Sequence, residues 1–429
     1  MSDSFDVVVV GAGPGGISAA TIAAEAGLRV CLIDDNKTVG GQIWRGFRED
    51  TAKKYPHGHE FLQWTDRLKR TACELWSGWQ VTDRPSPEVL RLERDGEFRD
   101  IGFGQLVLAT GARERFLPFP GWTLPGVTGA GGLQALAKAG LDVRGKRVAV
   151  AGTGPLLLAI AAGLADSGAK IIGLYEQAPL SRLLGFGLTL GSHPAKLAEG
   201  ARYQRKLRGI PYCTGSWVVR AEGSGHVERV VFTDGRKQWT LACDWLACGF
   251  HLVPNLELPH LLGCNVADGY VSVDAFQQSS VPGVFCIGEL TGIGGLEKAT
   301  LEGEIAGWAV AGRDADVRVL APRLRRMQRF AQHLDRAFAL RDELRTLAKP
   351  ETLVCRCEDV PYAALKECGS WREAKLHTRC GMGACQGRIC GAAIDFLFDW
   401  KVTGVRPPVF PAAVSTVSAK VDSTDTVPL

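Results

Sequence analysis

Phe5-Asp-Val-Val-Val-Val-Gly-Ala-Gly-Pro-Gly-Gly16 decides the fold of this 429-residue chain. Val7 to Val10 form a short, continuous β-branched run, which predicts a buried strand. Gly11, Gly13 and Gly16 follow at the GxGxxG spacing. The alanine-rich run Ile17 to Ala26 predicts a helix, and Gly27 suits the residue just past its end. A second strand, Arg29 to Ile33, runs into Asp34. Each part suits a bound dinucleotide. Gly11 permits the tight turn, Gly13 lets a pyrophosphate approach the backbone, and Gly16 lets the helix lie close on the strand. The helix N-terminus offers free N–H groups to phosphate. Asp34, eighteen residues after Gly16, can accept hydrogen bonds from a ribose.

The length gives room for two or three domains. The composition, 46% hydrophobic and 22% charged, is that of a globular protein. A net charge of +4 is too small to point to nucleic acid or an anionic membrane. Asp3 and Asp6 stand where a signal peptide would carry positive charge, so none is expected. Val7 to Ala24 and Val148 to Ala165 are uncharged over about a membrane span. Gly and Pro break both at turn spacing, so strand-turn-helix is expected and no transmembrane segment. Six of the thirteen cysteines fall between Cys355 and Cys390. Without an export signal, this clustering points to a reducing, cytoplasmic setting and to metal chemistry.

Val39-Gly-Gly-Gln-Ile-Trp-Arg45 comes next, and its paired glycines let backbone pass close to a cofactor. Gly41 and Gln42 are the candidate contacts. Residues 46–70 are charged and predict a surface excursion with a helix, on which His57 and His59 are solvated. Residues 79–108 predict short strands, ending in Leu106-Val-Leu-Ala-Thr-Gly-Ala-Arg113. With Thr110 and Gly111 closing this strand, the chain resembles the glutathione-reductase-like superfamily of FAD oxidoreductases. That family's third mark, a strand followed by Gly-Asp, is matched by Val284-Phe-Cys-Ile-Gly-Glu289, with Glu289 in place of Asp. The resemblance implies FAD, with Gly288 and Glu289 near its ribityl chain and phosphate. A helix from Glu297 would face the flavin with its positive end.

Lys146-Arg-Val-Ala-Val-Ala-Gly-Thr-Gly-Pro-Leu-Leu157 repeats the opening pattern. A helix to about Ser167 and a strand, Lys170 to Tyr175, ending on Glu176 follow it. Gly152 and Gly154 match, but Leu157 stands at the third glycine position. Its side chain would push the helix off the strand and displace the phosphate-binding amides. A vestigial fold over 146–176, or one holding a nucleotide other than NAD(P), fits this loop better than a nicotinamide site. Residues 210–247 alternate like strands. No Cys-x-x-Cys or Cys-x4-Cys follows the first helix, which disfavours disulfide reduction. Cys243 and Cys248 read as packed thiols.

Residues 311–350 predict helix linking two domains. Val354-Cys-Arg-Cys-Glu-Asp359 and Thr378-Arg-Cys-Gly-Met-Gly-Ala-Cys-Gln-Gly-Arg-Ile-Cys-Gly391 follow. Four thiolates from two loops can surround an iron–sulfur cluster, and the glycines let N–H groups turn toward sulfur. Cys355, Cys357, Cys385 and Cys390 are the expected ligands, with Cys380 the competitor and Cys368 a spectator. The pattern resembles the bacterioferritin-associated-ferredoxin-like [2Fe-2S] domain over residues 351–400. Structural zinc is the alternative for four thiolates.

End to end, the chain resembles the α (A or B) subunits of opine oxidases, hydrogen cyanide synthase and D-hydroxyproline dehydrogenases. The fold class expected is α/β. An FAD domain (1–120 and 245–312) holds an inserted second nucleotide-binding-like domain (121–244). A helical linker (313–350), a small helical iron–sulfur domain (351–400) and a C-terminal tail (401–429) complete the chain. The resemblance implies a multi-subunit dehydrogenase acting on an amino acid, imino acid or opine. Its partners would be a sarcosine-oxidase-like β subunit plus a small ferredoxin-like subunit, with any membrane association made through the complex. No catalytic acid–base pair is evident; His251 and His377 qualify only by position. The competing readings are a stand-alone NAD(P)H-dependent FAD oxidoreductase and a non-catalytic sensor or scaffold with a structural metal.

Overall fold

The computed structural model describes residues 3–50, 52–401 and 404–419. They divide into two compact units. The first takes in the described residues of Met1–Ala112, Pro254–Ala331 and Gly404–Leu429, and the second those of Arg113–Val253 and Gln332–Thr403.

In the first unit the strand Asp3–Val10 lies between Val30–Asp34 and Glu97–Leu108, parallel to both. Val8 stands opposite Cys31 on one side and Leu106 on the other. Glu74–Ser77 extends one edge, and Val284–Cys286 pairs in parallel with the end of Glu97–Leu108. Gln80–Ser86, Val89–Arg94 and the start of Glu97–Leu108 form an antiparallel meander on the same sheet. Val7, Val8 and Val9 are fully buried, which explains why this strand is a continuous apolar run rather than an alternating one. The helix after it spans Pro14–Glu25, so it begins three residues earlier than the alanine run suggests. Proline's fixed φ suits the first helical position and its missing N–H costs nothing there.

A second helix, Leu296–Val310, packs on Pro14–Glu25 along glycines. A Cβ on Gly303 would stand 2.0 Å from Ser18 Oγ and 2.2 Å from the Gly15 carbonyl oxygen. This contact sets how closely the two helices approach. Gly303→Ala is therefore expected to destabilise the protein by about 2 kcal/mol or more. Urea unfolding checks this, and an unchanged midpoint would mean the helices have room to separate.

The second unit holds a five-stranded parallel sheet in the order Tyr212–Thr214, Lys170–Glu176, Arg147–Thr153, Trp245–Phe250, Val127–Gly129. Trp217–Glu222, Arg229–Thr233 and Gln238–Ala242 form a separate antiparallel sheet. Cys243 and Cys248 are buried, and burial pushes both thiols up, as packed cysteines should behave. Helix fills only part of 311–350: it runs over Asp314–Ala337 and gives way to a short 3-10 turn at Asp342–Thr346. The break has a cause. Thr153, Gln177 and Arg182 side chains hydrogen bond to the carbonyls of Phe338 and Ala339, which would otherwise serve a helix.

In the cysteine region Leu353–Cys355 pairs with Val360–Pro361, and helices follow at Tyr362–Lys366, Trp371–Thr378 and Cys390–Phe398. Ser370 caps the middle helix by accepting from the Glu373 amide, while the Glu373 carboxylate reaches back to the Gly369 N–H. Among the described residues no helix is long and apolar enough to cross a membrane.

Candidate cofactor sites

Three loops of the first unit meet at the end of the opening strand. A Cβ on Gly16 would lie 1.8 Å from the Gly11 carbonyl oxygen, and one on Gly11 would lie 2.3 Å from Ala109 O, just before Thr110 and Gly111. The Gly40 amide donates to Ala12 O at 2.7 Å, and a Cβ on Gly41 would stand 2.9 Å from Gly13 Cα. Gly11, Gly13, Gly41, Thr110 and Gly111 thus line one backbone cradle; Gln42 is exposed beside it. Asp34 is buried, and its carboxylate accepts from the Ala12 amide (2.5 Å) and from the Asn36 amide (2.8 Å). The Asn36 side-chain amide donates to the same carboxylate at 2.8 Å, so at least three of its about four acceptor positions are filled within the protein. Thr110 and Asn255 exchange two hydrogen bonds that brace the cradle's far wall. Trp44, in the Gly-Gly-Gln-Ile-Trp-Arg stretch, is fully buried with its Nε1 lacking a hydrogen-bond partner. Side-chain-free backbone, a helix N-terminus and an acid at the second strand end fit FAD.

Gly288 and Glu289 close the strand Val284–Cys286 on the same unit. Glu289 is half-buried and turns toward the next helix, accepting from the Gly294 and Gly295 amides at 3.1 and 3.0 Å. Burial pushes its carboxyl up. Sequence reading missed the residues that hold this loop. Lys298 and Glu302 are 2% and 0% exposed and form an ion pair at 2.8 Å. Lys298 Nζ donates to Gly288 O and Thr291 Oγ1, and Glu302 accepts from the Gly288 amide. At i, i+4 on a helix the pair reads as a surface salt bridge; only burial under the loop reveals otherwise.

In the second unit Glu176 occupies the place that Asp34 holds in the first. It is fully buried and accepts from the Gly154 amide (2.7 Å), the Thr153 hydroxyl (3.0 Å) and the Ala178 amide (2.7 Å). Leu157 is buried at the third glycine position, and the first helical turn there is tightened, with the Leu157 amide donating to Gly154 O. In the first fold Ile17, which stands where Leu158 does, donates its amide to Gly13 O, a full α-turn, whereas Leu158 reaches only Pro155 O. The mouth of this fold is covered by its own chain. The Gln177 side chain, fully buried, donates to Ala339 O at 3.2 Å and accepts from the Arg341 amide at 3.2 Å. The Arg341 guanidinium stacks 3.9 Å over the Trp217 ring. Residues 338–341 so form a strap across the strand ends where a nucleotide would enter.

The cysteines of the same unit converge in a knot. Sγ atoms of Cys355, Cys380 and Cys390 lie within 4.8 Å of one another. Cys357 shares a thiol hydrogen bond with Cys385, and Cys385 another with Cys390. All four expected ligands are therefore brought together, and Cys380 joins them. Cys368 hydrogen bonds instead to the Ala364 carbonyl. The Cys390 thiol holds Cys355 down to about 5 and Cys385 down to about 4. Amides of Gly381, Glu358 and Cys357 also point at Cys355, and those of Ile389 and Gly387 at Cys385. A Cβ on Gly383 would meet Cys357 Cβ at 2.3 Å, so glycine lets this loop close. The same sharing pushes the Cys390 thiol up, its hydrogen bond to Cys355 first and burial after, and Cys357 is also raised, so two of the four favour thiolate. Converging thiols ringed by N–H donors suit a bound metal centre. His251 is half-buried 3.4 Å from Asp335, with desolvation pushing its imidazole down, and His377 is exposed.

The buried charges of both folds can be tested by substitution. Lys298→Met leaves Glu302 buried without its cation, which should cost about 3–5 kcal/mol, and Lys298→Met/Glu302→Leu should recover most of it. Thermal unfolding with flavin absorbance per chain checks both. Burial also pushes Glu176 up to about 7 from 4.5. A carboxyl with a raised folded value stabilises fully below its unfolded value, and that stability is lost as pH rises through about 7. The difference is worth about 3 kcal/mol. Glu176→Gln should flatten this decline, measured by urea unfolding at about pH 5 and about pH 8.

Residues 5–315 match the pyridine nucleotide-disulphide oxidoreductase family. The chain is 31% identical to the HcnB subunit of hydrogen cyanide synthase from Pseudomonas protegens, covering 90% of each sequence. It is 32% identical to the opine oxidase A subunit of Rhizobium meliloti, covering 97% of this chain and 99% of that one. Among solved structures, L-proline dehydrogenase from P. horikoshii shares the fold at a TM-score of 0.66 and 19% identity, over 97% of this chain and 80% of that one. Thioredoxin reductase of T. acidophilum does so at a TM-score of 0.55 and 21% identity, over 73% of this chain and all of that one. The chain belongs to the pyridine nucleotide-disulphide oxidoreductase family of flavin-dependent oxidoreductases, alongside the opine oxidase A and hydrogen cyanide synthase B subunits.

Proposed function

We propose that this chain is the FAD- and [2Fe-2S]-containing subunit of a multi-subunit dehydrogenase that oxidises an amino acid, imino acid or opine. The observation that carries the reading is the cysteine knot, whose thiols converge with backbone amides turned toward them. Bound FAD supplies two-electron chemistry and a [2Fe-2S] centre supplies one-electron transfer, a pairing that turns hydride oxidation into electron relay. Gly11, Gly13, Gly16, Gly41, Gln42, Thr110, Gly111, Gly288 and Glu289 would surround FAD, with Asp34 on its ribose. Cys355, Cys357, Cys385 and Cys390 would hold the cluster. These residues bind and orient; none of them forms a substrate acid–base pair, which suits a subunit whose partner, similar to sarcosine oxidase β, holds the substrate. A small ferredoxin-like subunit completes the assembly. The strap over the second nucleotide fold supports the same reading, since it closes the entry that a nicotinamide donor would need.

Under anaerobic conditions NADH and NADPH should leave the flavin absorbance of the isolated chain unchanged. The chain purified with its partners should bleach with one member of a panel of D-amino acids, imino acids and opines. Rapid bleaching by NADH alone would establish the stand-alone reductase instead. Zinc in place of iron on metal analysis would remove the relay.

A further inference from the structure

Cys380 has no role in the four-ligand assignment. It is fully buried, and its Sγ stands 4.0 Å from Cys390 Sγ. With Cys355 it completes a trio whose sulfurs all lie within 4.8 Å of one another. Two thiolates on one tetrahedral metal at about 2.3 Å are roughly 3.8 Å apart. The trio thus has nearly the spacing of ligands to a single metal ion before any metal draws them in.

The knot is also asymmetric. Cys355, Cys380 and Cys390 are buried, whereas Cys357 is exposed and Cys385 half-buried. Cys357 and Cys385 pair with each other by a thiol hydrogen bond. The spare thiol is at the buried end. Packing alone gives it no special reason to be sulfur, because buried cysteine behaves as a small hydrophobe. Its neighbours Val354, Leu365 and Ala374 would accept alanine there.

We propose that Cys380 is a reserve thiolate for the buried end of the cluster, placed to take over from Cys390 or Cys355. The inference rests on the iron–sulfur reading above. The exchange is redox-neutral. The Cys380 thiol loses its proton as its bond to iron forms, and the departing thiolate takes up a proton as its own bond breaks. Cys357 and Cys385, at the exposed end, have no such understudy among the described residues.

The test uses full-length protein purified without oxygen. Iron and sulfide per chain, visible absorbance and the EPR spectrum after reduction are measured for Cys380→Ala, Cys390→Ala, Cys357→Ala and the double variant Cys390→Ala/Cys380→Ala. Cys380→Ala should keep wild-type iron and spectrum. Cys390→Ala should keep most of its iron with shifted g-values, and the double variant should hold roughly tenfold less. Cys357→Ala should lose iron whether or not Cys380 is present. Flavin content reports on folding of the first unit, and circular dichroism on the whole. If Cys390→Ala does not fold, Cys355→Ala with and without Cys380 repeats the comparison. Single variants as iron-poor as their doubles would overturn the reserve role while leaving the cluster reading intact. An iron-free wild type would overturn both.

Discussion

A missing side chain at Gly16 is the constraint on which the first nucleotide fold depends. Any Cβ there would run into the Gly11 carbonyl. Because none is present, the helix Pro14–Glu25 lies against the strand end and keeps its amides pointing at the cradle. Gly303 repeats the device from the other side, letting Leu296–Val310 press onto the same helix. The second helix begins just after Gly294 and Gly295, whose amides Glu289 occupies. One close approach thus orders two helix N-termini and the loop between them. The buried Lys298–Glu302 pair then fastens Gly288 by both its amide and its carbonyl. Such a pair adds little net stability but makes the loop's position costly to change.

The second fold shows what happens when the same pattern lacks that glycine. Its strands, its turn and its acid are all in place, yet Leu157 fills the third position. The acid accepts from loop amides in both folds, and the difference is that here the chain from Phe338 to Arg341 lies over the strand ends. The fold persists because its core of Val148, Val150, Leu157, Ile160 and Leu174 needs no ligand. The strap and the cysteine region follow it in the same unit.

That cysteine region is small, and its own apolar core is short: Val354, Val360, Leu365, Ala374 and Ile394. Much of what shapes it is polar. Amide groups converge on Cys355 and Cys385, which favours thiolate over thiol. A region this size would gain stability from a metal held by these thiols. Trp371, packed over the bare Cα of Gly381, and the stack of Tyr362, Phe398 and Trp400 close its outer face.

Local pattern determined most of the framework. The valine run, the glycine spacing and the acid at each second strand end announce two nucleotide folds, because strand burial and loop curvature leave short, regular marks. That the late cysteines act as a group was legible for the same reason, as metal ligands recur at short spacings. Tertiary structure alone decided four other things: that Lys298 and Glu302 are buried, that Glu289 turns to its own helix, that a strap closes the second fold, and that Cys380 joins the knot. Each depends on residues distant in the chain, or on which face of a helix meets a neighbour. Spacing carries no record of those contacts. A sequence states which groups are available, and only packing settles which of them are deprived of water and therefore forced to pair.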